Sequence, residues 1–312
     1  MRPNPLVSRG RGDQMYVVAL MGGLGNQLFQ LSTGLELANR NSVELVIDLS
    51  WFSRRFRRSG GLILREFELS AVAADCSIVG QSEKLPFELS SHVRDYLLKR
   101  LPQQFVLRHG GTFVEKSIEF DPRVQSLEPG VRLLGYFQSR NYFSNVETNI
   151  RERIIRATVI TPLMTELLAR SLELQPIIIH IRRGDFLTSS IDSNRVSQRY
   201  YVESVQVLRK QGFDGPVWLM SDDPGSALEW LGDSLQVDFA VPMFEELGSL
   251  QSLAILSSGF ALVISKSTFS WWGAFMSEAH GAQVIAPQGA GRPDNFYRDE
   301  ETAQNGWIFI EA

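Results

Sequence analysis

The sequence predicts an α/β fold built on parallel sheets and divided into two domains. Apolar runs of strand length recur along the 312 residues, each followed by a segment of helical period, which is the pattern of βαβ units. No internal repeat of fixed period and no low-complexity segment interrupts it. Near residues 155–165 a poorly patterned region gives way to strict alternation. The expected division is therefore a loose tail over 1–14, a first α/β domain over 15–160 and a second over 161–312.

Each element follows from its pattern. "MYVVALM" (15–21) is a continuous apolar run, as in a strand buried on both faces. "NQLFQLSTGLELANR" (26–40) sets Leu28, Leu31, Leu35 and Ala38 on one helical stripe, and "VELVIDL" (43–49) is the next strand. From 51 to about 150 the signal weakens: "WFSRRFRRSGG" reads as an exposed arm, "SSHVRDYLLKRLP" as a helix, and "GVRLLGYFQS" as a strand ending among aromatic residues. The second half is more regular. "ITPLMTELLARSLEL" is a helix stopped before Pro176, "PIIIHI" a buried strand, "SQRYYVESVQVLRKQG" a helix with a glycine stop, and "GPVWLMSDD" a strand. "ELGSLQSLAILSSG" is a helix, "FALVIS" a strand, "FSWWGAFMSEAHG" a helix ending at Gly281, and "AQVIAP" the last clear strand.

Composition excludes several classes. With 44% hydrophobic and 21% charged residues the chain is an ordinary globule, neither disordered nor fibrous. A net charge of -4 argues against nucleic acid as the main partner, while leaving room for a small anion bound locally. Cys76 stands alone, so a disulfide framework is excluded and a cytoplasmic home is expected, with Cys76 as a small core filler. His92, His109, His180 and His280 lie far apart with no second ligand at metal spacing, so no metal site is expected. No run approaches the roughly 18 apolar residues of a membrane span, and the N-terminus lacks the apolar middle of a signal peptide.

Four junctions carry the candidate chemistry. In "MGGLGNQLFQ", Gly22, Gly23 and Gly25 separate a strand from a helix, and glycine lets backbone N–H groups turn toward a bound group. A dinucleotide fingerprint would need a third glycine where Leu28 stands, although Asp48 ends the second strand where a ribose-binding acid belongs. A packing turn, or a substrate-facing loop presenting Asn26 and Gln27, are the other readings. In "IIIHIRRGDF", a strand delivers His180, Arg182, Arg183 and Asp185 to the carboxyl edge of a parallel sheet, where open α/β folds bind ligands. Neighbouring strand residues face opposite ways, so one arginine is expected to grip an anion and the other to pair with a carboxylate and steady the loop. His180 reads equally as a satisfied core histidine.

The third junction, "VWLMSDDP", ends in Asp222 and Asp223, which fit either nucleotide recognition or the cap of the following helix. No D-x-D sequence offers a metal bridge to a diphosphate. In the fourth, "SKSTFSWWGAF", the hydroxyls of Ser265, Ser267, Thr268 and Ser270 gather at a helix start with Lys266 beside them. One hydroxyl suffices for a cap, so four suggest a ligand. Trp271 and Trp272 are expected to pack the helix onto the sheet.

Taken in order, "GGLGNQLFQ", "HIRRGD", "MSDD" and "STFSWWGAF" followed by "VIAP" resemble the alpha-1,2-fucosyltransferases of glycosyltransferase family 11, from about residue 15 to the C-terminus. The resemblance implies a GT-B-like fold of two facing Rossmann-type domains, GDP-L-fucose as donor, inversion at the anomeric carbon and no required metal or other cofactor. It places the diphosphate on Arg182; by their place at strand ends, helix start and glycine loop, His180, Arg183, Asp222, Asp223, Ser267, Thr268, Phe269 and Ser270 are expected near the nucleotide, with Gly23, Gly25 and Asn26 also at the ligand. Asp185 is the first candidate for the base that takes the proton of the acceptor hydroxyl, expected to be O2 of a terminal galactose. Lys266 departs from the small polar residue expected there, and no N-terminal membrane anchor like that of animal members is expected. The expected enzyme is bacterial in type and cytoplasmic, with room for peripheral membrane contact through Arg54, Arg55, Arg57 and Arg58, which otherwise form a solvated basic loop. Two competing readings are an NAD-dependent oxidoreductase using the N-terminal βαβ, and a sugar-nucleotide or glycan-binding protein without turnover.

Overall fold

A computed structural model describes residues 15–52, 66–80, 100, 111–183, 196–243, 246–288 and 306–312. The expected helix over 90–102, the arginines at 54, 55, 57 and 58, the tail over 1–14, His92, His109 and Asp185 lie outside these residues, apart from Arg100. The chain separates into two compact α/β units, one ending at Ile150 and one beginning at Arg151.

The first unit opens with β1 (Met15–Ala19), α1 (Leu24–Asn41) and β2 (Glu44–Asp48). Its sheet also holds β3 (Ser77–Val79), β4 (Thr112–Val114) and β5 (Arg132–Leu134), in the order β3-β2-β1-β5-β4, with every pair parallel. The stripe expected on α1 is the one it buries: Leu28, Leu31, Leu35 and Ala38 are all in the core. Gly34 lets α1 lie close to the sheet, since a Cβ there would stand 2.8 Å from Leu45 Cδ1. The chain then enters α2 (Glu147–Ala157), a helix the sequence pattern does not announce.

The second unit contains α3 (Pro162–Leu174), β6 (Ile177–Ile181), α4 (Gln198–Lys210), β7 (Val217–Ser221), α5 (Pro224–Leu231), β8 (Phe239–Ala240), α6 (Ser249–Ser257), β9 (Ala261–Val263), α7 (Thr268–Ser277), β10 (Gln283–Gln288) and β11 (Ile308–Glu311). Its parallel sheet runs β11-β10-β9-β6-β7-β8. From β6 the chain builds outward to β8, then returns to β9 on the other side. That reversal leaves a crevice at the carboxyl ends of β6 and β9, because the connections leaving these two strands diverge.

Two elements explain why the crevice keeps its shape. Every residue of β6 and β9 is buried, so both strands are fixed by the core on each face. Tyr200 on α4 donates from its phenol to the carbonyls of Ile264 (2.8 Å) and Ile285 (3.1 Å), and Tyr201 donates to that of His180 (3.1 Å). Burial raises the Tyr201 phenol's pKa and keeps it a donor.

Candidate active site

The crevice residues of the second unit sort by strand period. Ile181 packs into the core against α4 and α5. His180 and Arg182, on the other face, meet the segment that follows β9. Ser265 Oγ and Ser270 Oγ lie 3.0 and 2.5 Å from His180 Nδ1 and 2.9 Å from one another. Hydroxyls both donate and accept, so this triangle satisfies Nδ1 in either neutral tautomer. Burial, with the charge of Arg182 beside it, pushes the His180 pKa down to about 4 against the opposing pull of Asp222. The ring is therefore neutral at physiological pH. Phe269 lies beside it, tilted, with ring centres 5.5 Å apart.

The two arginines take different partners, although the carboxylate expected beside the second faces the guanidinium of Arg182. Arg182 Nη1 points at Ser267 Oγ (3.5 Å), and its Nε lies 4.0 Å from Asp222 Oδ2. Arg183 donates its backbone N–H to Asp222 Oδ1 (2.7 Å), while its guanidinium sits over the Trp230 ring at 4.8 Å. Asp222 thus steadies the turn and faces Arg182, whereas Asp223 caps α5 by accepting from Ser226 N (3.0 Å) and Ser226 Oγ (2.6 Å). Those bonds, the side-chain one first, lower the Asp223 pKa.

The four hydroxyls do not share one task. Those of Ser265 and Ser270 turn inward to His180. Ser267 stands at the N-cap of α7 yet makes no side-chain cap, and its Oγ accepts from Arg182 instead; Thr268 is half-buried at the first helical position. Consequently the helix start, Ser267 and the Arg182 guanidinium converge, an arrangement that favours an anion through fixed charge and oriented N–H groups. Trp271 and Trp272 are buried and pack against Phe275.

At the corresponding edge of the first unit, Gly22 makes the turn after β1 with φ 80°, where a Cβ would strike Asn26 Nδ2 at 2.5 Å. Gly23 is the N-cap of α1 and Gly25 is buried in its first turn. Gln27, expected to face a substrate, is fully buried: it donates to the carbonyls of Gly22 (2.9 Å) and Glu66 (2.7 Å) and accepts from Glu68 N (3.0 Å). Gln30 likewise ties Met21 N (2.9 Å) to the Gly135 carbonyl (3.0 Å). Asn26 is half-buried, and it accepts from Gln138 Nε2 at 2.8 Å. Asp48 does not fit a ribose acid. It accepts from Arg132 Nε (2.9 Å) and from Ser50 N and Oγ (2.9 and 2.5 Å); burial would raise its pKa, but Arg132 and these bonds outweigh that and hold it below the usual carboxylate range.

Sequence reasoning missed Tyr200, Tyr201 and Trp230, which position the crevice. The adjacent tyrosines of "RYYVES" were a usable signal, because two buried phenols must find acceptors. Among the described residues no group of three or more His, Cys, Asp or Glu could hold a metal ion, and no helix is long and apolar enough to cross a membrane.

A model of glycosyl transferase family 11 matches residues 131–311, more than half of the chain. The chain is 25% identical over 284 residues to an alpha-1,2-colitosyltransferase of Escherichia coli, covering 88% of this chain and 91% of that protein. It is 26% identical over 149 residues to a galactoside 2-alpha-L-fucosyltransferase of Caenorhabditis elegans, covering 46% and 41%. Among solved structures it is similar to the Bradyrhizobium alpha-1,6-fucosyltransferase NodZ soaked with GDP-fucose, with 15% identity, a TM-score of 0.45, and 84% and 92% of the two chains covered.

Proposed function

The chain belongs to glycosyl transferase family 11, and on that footing we propose that it transfers L-fucose from GDP-L-fucose to O2 of a terminal galactose, with inversion and without a metal. The observation that carries this reading is the crevice of the second unit, where Arg182, Ser267 and the start of α7 converge at the point of strand reversal. A nucleotide diphosphate suits that cradle. The first unit serves the acceptor.

In the reaction, the acceptor hydroxyl oxygen bonds to fucose C1 as the bond from C1 to the diphosphate oxygen breaks. The electron pair leaves on GDP, and the hydroxyl proton goes to a base, for which Asp185 remains the proposal. Positive charge develops on the sugar ring and negative charge on the leaving diphosphate. Arg182 and the helix start stabilise the latter; a well-placed donor to such an oxyanion contributes about 2.7 to 4 kcal/mol in other enzymes. Neutral His180 carries no charge to this step and holds the crevice wall through Ser265 and Ser270.

The test is an incubation with GDP-fucose and a panel of galactosides, reading the product linkage by NMR. An alpha-1,2-fucosyl galactoside is expected. A product linked elsewhere, or no turnover with any acceptor, overturns the assignment, and a parallel reaction with a colitosyl nucleotide decides between the sugars that the relatives' names carry.

A further inference from the structure

Four residues after β5 hold a shape that the chain does not adopt by default. Phe137 lies in the left-handed region at φ 51°, where its Cβ is crowded by the backbone. The other non-glycine residues in that region among those described, Ser42 and Gln175, end α1 and α3, where a left-handed residue belongs to the stop. Phe137 ends no helix. It is held there by Glu115, whose carboxylate accepts from the backbone N–H of Tyr136 (2.6 Å) and of Phe137 (3.0 Å). Gly135 permits this approach, since a Cβ there would meet Glu115 Cβ at 2.4 Å, and the buried Phe137 ring locks edge-on against Tyr142 at 5.5 Å.

The result of this restraint is an outward Tyr136, 41% exposed, two residues from Gln138 at the carboxyl edge of the sheet. Strain maintained by a dedicated carboxylate at a sheet edge points to function rather than packing. The chemistry presented is neutral. A phenol ring offers an apolar face with a polar tip. Once Gln138 has donated to Asn26, the pair still holds a carbonyl acceptor on Gln138 and an amide donor on Asn26, which suits adjacent hydroxyls of a sugar ring.

We propose that Tyr136, Gln138 and Asn26 seat the terminal sugar of the acceptor, with Glu115 as the positioning residue that keeps the seat in shape. This rests on the glycosyl-transfer reading above and names the residues that choose its acceptor. The ring stacks on the C–H face of the sugar while the amide pair reads two of its hydroxyls.

The experiment is steady-state kinetics with GDP-fucose and lactose, each varied in turn. Tyr136→Ala is expected to raise the lactose KM about tenfold with the GDP-fucose KM within about twofold, whereas Tyr136→Phe, which keeps the ring, stays within about threefold for lactose. Gln138→Ala and Glu115→Gln each raise the lactose KM about fivefold by the same selective route. Thermal unfolding and GDP titration of every variant separate loss of fold from loss of the seat. If folded Tyr136→Ala and Gln138→Ala keep the wild-type lactose KM, the seat is wrong. Should the wild type transfer fucose to no galactoside, the functional reading fails, and saturation-transfer NMR with lactose still decides the seat: signal lost in Tyr136→Ala supports it, and equal signal overturns it.

Discussion

His180 shows how one buried side chain can be read from both ends of its chemistry. Its imidazole titrates near pH 4 in the fold and near 6.5 outside it. The unfolded chain therefore takes up a proton that the native state refuses. Stability is complete above pH 6.5 and falls as the pH drops through 6.5 toward 4, by about 3 kcal/mol in all. His180→Asn, an amide that keeps bonding Ser265 and Ser270 but does not titrate, should flatten the pH dependence of urea unfolding in that window. An unchanged slope would show that other groups set it. Ser270→Ala should cost about 1–3 kcal/mol of stability in the same assay, since it removes one of two hydroxyls from a buried ring nitrogen. At this scale the divergence of Arg182 and Arg183 was legible, because strand period alone separates neighbours. The partners were not: nothing local places Trp230 under one guanidinium or Ser267 beside the other.

Elements were legible in proportion to their length. The 18-residue α1 and the five-residue β1, β2, β6 and β7 stand where the apolar pattern puts them, whereas the "FSWWGAFMSEAHG" helix ends at Ser277 and a 3-10 turn over Glu278–His280 carries the chain to a left-handed Gly281 (φ 77°). By contrast β3 and β4 have three residues each and β8 has two, too few for alternation to register, and β11 is four residues near the chain end; β5 and β9, also of three residues, are legible because each sits inside a longer apolar run, "GVRLLGYFQS" and "FALVIS". The α2 helix escaped notice because its polar sequence, "ETNIRERIIRA", has few apolar residues to reveal a period. Close packing of α6 on α7 was also invisible in the sequence. It depends on Gly273, where a Cβ would lie 2.5 Å from Leu256 Cδ2 in a side chain that is itself fully buried. Gly273→Ala should therefore destabilise the protein by about 1–3 kcal/mol in thermal or denaturant unfolding. Because α7 starts at the crevice, the same change should weaken GDP binding; wild-type stability would show that the two helices part freely.

At the scale of the whole molecule, the alternation of strand and helix predicted two parallel-sheet units, and both are present. Strand order was beyond the sequence, since it arises from pairing between distant segments. It is nevertheless what gives the residues meaning: only the reversal between β6 and β9 brings "HIRR" to "SKSTFS". The dinucleotide alternative loses its acid at this scale as well, because Arg132 on β5 reaches Asp48 on β2 across β1. The most direct test of the account is calorimetric titration of GDP, in EDTA, into the wild type and Arg182→Ala. The account predicts that chelation leaves wild-type binding intact and that the variant loses about thirtyfold or more in affinity. Equal affinity of the two proteins, or wild-type binding abolished by EDTA, would contradict it.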